Sequence, residues 1–104
     1  MKITVKGKQY DSGKMLFDKY DVYTKARNKL AEKELFNSDD INLMIDTLVF
    51  IFDNKFTAKD IKSEMDISDI IFNFSSVDIE IAGKSNDKAF KASAGFMKGK
   101  KFKR

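Results

Sequence analysis

A small, mainly α-helical bundle with a short N-terminal β-hairpin is the fold class that this sequence predicts, on three observations. Apolar residues recur at spacings of three and four through most of the chain, as in helices that bury one face. Clusters of Ser, Thr, Asn and Asp stand just ahead of those stretches, where the first amides of a helix need oxygen acceptors. Proline is absent, which leaves no rigid linker between separate units, and 104 residues are normally one domain.

The elements follow in order. Ile3-Thr4-Val5 and Gln9-Tyr10 flank Lys6-Gly7-Lys8, a hairpin turning at the glycine. Asp11-Ser12-Gly13 breaks the strand. From Lys14 to about Phe36, Lys, Leu, Ala and Glu predict a helix with Leu16, Tyr20, Tyr23 and Leu30 near one stripe. Asn37-Ser38-Asp39-Asp40 supplies helix-starting chemistry for the segment from Asp40 to Phe52. There Ile41, Met44, Ile45, Leu48, Ile51 and Phe52 form a wide stripe, as expected of a helix covered on more than one side. Thr57-Ala58-Lys59-Asp60 reads as a variant capping box opening a short helix to Met65.

Residues 67–82 fit two periods. Ile67, Ile70, Ile71, Phe74, Val77 and Ile81 make a helical stripe, while Val77, Ile79 and Ile81 also alternate as in a strand. The start signal Asp66-Ile67-Ser68-Asp69 favours helix. Gly83 is then the expected helix end, followed by a separate short helix from Lys88 to Met97. The organisation predicted is a helical domain with its hairpin over 1–83 and a basic C-terminal segment over 84–104, partly helical or flexible.

Composition excludes several function classes. The chain has no histidine and no cysteine. It therefore lacks the usual near-neutral proton shuttle and the thiolate nucleophile, disulfide or zinc cluster. No apolar run is long enough to span a bilayer. Charge is divided along the chain: residues 84–104 hold eight basic residues against Asp87, while residues 1–83 carry a net −3.

Motifs that suggest chemistry fail on inspection. Gly83-Lys84-Ser85 resembles the end of a phosphate-binding loop, but the position that needs the leading glycine is Asp78, whose carboxylate would repel a phosphate. Asp53 to Glu64 has the length of a calcium loop, yet Lys55 and Lys59 would compete with the cation, and Ala58 stands where the turn glycine belongs. Ser85-Asn86-Asp87-Lys88 has Ser-x-x-Lys spacing without its companion elements. Asp78 and Glu80 diverge on a helix and line a solvated face on a strand. The expectation is a non-enzymatic protein with no cofactor and no metal.

Binding residues are better represented. Val49, Phe50, Phe72 and Ile79 fall outside the tightest stripes, and complete the core, build a client surface or build a self-association face. In the basic segment, Phe90, Phe96 and Phe102 are interleaved with lysines, among them Lys98, Lys100, Lys101 and Lys103, with Arg104 at the end. Three readings stay open there: packing on the body, docking on an acidic protein, or stacking and phosphate contacts with nucleic acid.

The strand pair "KITVKGKQY" and the stretch "DINLMIDTLVFIFDNKFTAKDIKSEMDISDII", an apolar helix followed by two capped helices, resemble the tail assembly chaperones of long-tailed bacteriophages of Gram-positive bacteria. The resemblance covers residues 1–83. It implies a chaperone that binds and solubilises the tape measure protein, a long helical client, in the cytoplasm of the infected host, with several copies on one client. It also implies a longer frameshifted product able to contact the tail tube protein, and Lys98-Gly99-Lys100-Lys101 is compatible with slippery codons. A small nucleic-acid-binding protein using the basic tail is the alternative.

Overall fold

The computed structural model describes the backbone of residues 1–94 and the side chains of residues 1–83. Strands β1 (Lys2–Val5) and β2 (Lys8–Asp11) pair antiparallel, with Ile3 opposite Tyr10 and Val5 opposite Lys8. Both loop residues, Lys6 and Gly7, have positive φ (55° and 76°). A two-residue loop of that kind matches the twist of the strands, and glycine adopts it freely. Lys6 does so with its ammonium 3.0 Å from Asp60 Oδ1, which ties the hairpin to the third helix. Alternation turns Ile3 and Val5 into the core while Lys2 and Thr4 face water.

Helix α1 runs Phe17–Leu30, shorter at both ends than the 14–36 expected. Leu16 occupies the N-cap in an extended conformation and supplies no side-chain cap. At the other end the chain leaves the helix so that the next one can fold back. The Lys33 ammonium donates to both carboxylate oxygens of Asp40 at 2.9 and 3.0 Å, holding that connection against the start of helix α2 (Ser38–Ile51). The expected stripe is also corrected. Leu16 and Tyr20 are exposed, and the buried positions are Lys19, Tyr23, Ala26 and Leu30.

The start signals of α2 and α3 (Ala58–Glu64) operate as full capping boxes. The Asn37 side chain accepts from the Asp40 amide at 2.9 Å, and the Asp40 carboxylate accepts from the Asn37 amide at 2.9 Å. Thr57 and Asp60 repeat the exchange at 3.1 and 3.0 Å. After α2, Asp53 and Asn54 take left-handed conformations without glycine. The Asn54 amide closes on the Val49 carbonyl at 2.9 Å, giving the sharp exit that sends Phe56 back under Phe52.

The strand-or-helix ambiguity resolves to helix: α4 spans Ile67–Ala94. Gly83 does not end it, and no separate helix begins at Lys88. A helix-interior glycine costs about 1 kcal/mol, and the residues on either side of it contain no proline, so the helix continues through. The Met97 end of the expected short helix lies outside the described residues.

Helix α2 is the centre of the bundle and packs on α1, α3 and α4. Its Met44, Ile45, Leu48 and Ile51 meet Tyr23 and Leu30 of α1, Ile61 of α3, Ile70, Phe74 and Val77 of α4, and Ile3 and Val5 of the hairpin in one core. Tilted ring pairs Tyr23–Phe74 (5.1 Å) and Phe52–Phe56 (5.4 Å) lie in this core.

The capping carboxylates set an acid limit. Backbone amides, then Lys33 for Asp40 and Lys6 for Asp60, hold both carboxyls below the usual range, and the Gly13 amide does the same for Asp11. A group whose folded pKa is depressed stabilises the fold above its unfolded pKa, and the contribution is lost as pH falls through the folded value. Melting temperatures are therefore expected to hold from pH 7 to about 5 and then fall below about pH 4. Asp40→Asn is expected to melt lower at pH 7 and to show a smaller acid drop; an unchanged drop would place the acid sensitivity elsewhere.

Candidate interaction surfaces

Charged groups near the core are engaged in tying elements together. Lys19, 9% exposed, donates from its ammonium to the Ser12 carbonyl at 2.7 Å and to Asp53 Oδ2 at 3.2 Å. Its stem covers apolar surface while the charge reaches the rim, a pattern that a hydrophobic stripe search overlooks. Arg27 pairs with Asp78 at 2.8 Å, joining α1 to α4, and lies 5.8 Å from the Tyr23 ring centre. Burial pushes the Tyr23 phenol up, and Asp78 pushes it further. Glu80 accepts from the Met1 ammonium at 3.1 Å. Asp78 and Glu80 thus turn to different partners and form no carboxylate pair.

The Asp53–Glu64 segment is a loop and a capped helix, as its lysines imply. Among the described residues, no group of three or more acidic side chains is placed to hold a metal ion. No helix among the described residues is long and apolar enough to cross a membrane.

The surplus apolar residues separate by environment. Val49 is half-buried against the core, and Phe50 is 39% exposed on the flank of α2. Phe72 and Ile79 stand in solvent on α4, 66% and 69% exposed. With roughly 3.6 residues per turn, Ile70, Phe74, Val77 and Ile81 share the core face, and Phe72 and Ile79 lie on the opposite one. Phe96, Lys98, Lys100, Lys101, Phe102, Lys103 and Arg104 lie outside the described residues.

Among the described residues, two of the open grooves that border α4 are broad. One, of about 440 Å³, runs between the start of β1 (Met1, Lys2) and the outer face of α4 at Phe72, Ser76, Ile79 and Gly83. The other, of about 430 Å³, lies at the corner where α2, α3 and α4 converge, against Phe36, Ile41, Ile45, Met65, Ile67 and Ile70. The second was missed from the sequence because three elements contribute to it. Its one local signal is Ile67, apolar in the first turn of a helix beside a capping acid, and 55% exposed.

Such grooves can seat an amphipathic helix through dispersion and desolvation, without chemistry on a bound substrate. Neither a curated protein nor a solved structure matches the chain. A family model described as "Phage tail chaperone protein" matches residues 1–95.

Proposed function

This chain belongs to the phage tail chaperone family, and from that premise we propose that it binds the tape measure protein and keeps it soluble while the tail is assembled. The role is that of a tail assembly chaperone, and the family points to a non-enzymatic one. The observation that carries the finer reading is the apolar groove at the α2–α3–α4 corner. A long helical client presents amphipathic turns, and this groove offers Ile41, Ile45 and Ile70 at its base with Met65 and Ile67 at its edge. Methionine is unbranched and polarizable, so it adapts to many client sequences. Phe50 adds apolar surface on α2.

Each contact of this size is weak, and several copies on one client gain strength by multivalency. The work takes place in the cytoplasm of the infected host cell. The domain division at 83/84 belongs to this reading too, with residues 1–83 holding the client. The basic segment over 84–104 would reach further tail components, including the tail tube protein in a longer frameshifted product.

Co-expression with the tape measure protein of the same genome tests this. A soluble complex that survives nuclease and moderate salt is expected, and Ile67→Asp is expected to abolish capture with little change in melting temperature. A client left insoluble and unbound, while the chain retains nucleic acid, would overturn the reading in favour of the basic tail.

A further inference from the structure

The corner groove at α2, α3 and α4 is apolar at its base, but among the described residues its lining carries a charge at Lys62 alone. Lys62 stands on α3 three residues before Met65, so the two share one wall. The other polar residues of the lining, Asn37, Ser38 and Asn42, are neutral, and the Asn37 side chain is occupied by the Asp40 amide. Lys62 is exposed, and the ion pairs among the described residues engage Lys6, Lys19, Lys25, Arg27 and Lys33 instead. Asp39, Asp46, Glu64, Asp66 and Asp69 are exposed on or beside the same three helices, yet none of them lines the groove. A lysine in the last turn of a helix suits the dipole on any side of it. The dipole therefore gives no reason for this one to border an apolar groove.

We infer that Lys62 sets the register of the client helix in this groove, by pairing with a single carboxylate three or four residues from the apolar side chains that fill it. The inference rests on the client reading above and names the client's chemistry. Apolar burial is non-directional, so an apolar groove by itself accepts an amphipathic helix in registers one turn apart. One cation on the wall separates them. A register that lays an apolar or basic position over Lys62 strips water from the ammonium and returns no partner. A register that lays an aspartate or glutamate there pairs it, and the water excluded by docking strengthens the attraction. The exposed acids outside the lining set the opposite limit, because a run of client acids would meet them as like charges. The segment that fits is an amphipathic helix with one acid beside its apolar stripe and neutral or basic residues to either side.

Overlapping peptides that tile the tape measure protein of the same genome test it, titrated with the full chain by fluorescence anisotropy. The tightest peptide is expected to carry an aspartate or glutamate beside its apolar stripe. Lys62→Glu is expected to weaken it by roughly tenfold at low salt, with the gap narrowing as salt screens the pair, while Lys62→Arg keeps the affinity. Lys59→Glu makes the same charge change on the same helix at an exposed residue outside the groove lining, and is expected to leave binding within about twofold of wild type. Changing the peptide's acid to lysine is expected to abolish binding to wild type and restore it to the Lys62→Glu chain. Melting curves report that each variant is folded. Equal binding by Lys62→Glu, equal damage from Lys59→Glu, or failure of the charge swap would each overturn the register role, with the client reading still standing on capture by wild type. No peptide bound by wild type would overturn the client reading and this inference with it.

Discussion

Phe52→Ala is expected to lower the folding free energy by about 3–5 kcal/mol, the range for emptying a buried aromatic site. The ring is wholly buried at the C-cap of α2, where its amide closes on the Leu48 carbonyl at 3.0 Å. It packs 5.4 Å from Phe56, which in turn meets the edge of Tyr10 at 5.2 Å. This aromatic run joins the end of the central helix to the loop before α3 and to the hairpin. Its surroundings are helix ends and a strand pair, which collapse only in part around a void. A domain of this size unfolds marginally to begin with. Thermal unfolding is expected to fall by roughly 15–30 °C. A fall of only about 5 °C would show that the ring is not the support described.

Val77→Asp is expected to detach α4 or unfold the chain outright, whereas Ile79→Asp, two residues on, is expected to leave the melting temperature within a few degrees. Val77 is 0% exposed against the core. An aspartate there meets no donor in the core, so it is buried uncompensated or forced neutral, a change among the most destabilising available to a single residue. Ile79, 69% exposed, places a carboxylate in water. The contrast follows from the helical period. On a strand, positions 77, 79 and 81 would share one face and the two substitutions would act alike. Circular dichroism melts of the two variants check this, and equal damage from both would contradict the helix through this segment.

Much of the fold is legible in local chemistry. Asn37 with Asp40 and Thr57 with Asp60 carry their capping function in residue type and spacing alone, because a cap is made within four residues. The Lys6-Gly7 turn is local in the same sense. The stripe of α2 is legible because an almost wholly apolar helix has few places to go but the centre. Phe72 and Ile79, two of the exposed apolar residues of α4, were legible as candidates but not as one face, since that needs the helix to be established first.

Tertiary structure decided the rest, wherever a residue's role depends on a distant partner. Lys19 belongs to the buried side of α1 because Ser12 and Asp53 stand ready to receive its ammonium. No periodicity of apolar residues can report that. Of the expected α1 stripe, Tyr23 and Leu30 are buried while Leu16 and Tyr20 stay exposed, and Lys19 and Ala26 join the buried side instead. Gly83, a helix end by its own propensity, became interior because about 1 kcal/mol of local cost does not stop a helix whose following residues are able to continue it. The sequence by itself determined the helices, their caps and the hairpin, since those rest on interactions within a few residues. Which faces those helices bury, and which they leave for a partner, was set by how the helices cross, and only the assembled bundle contains that information.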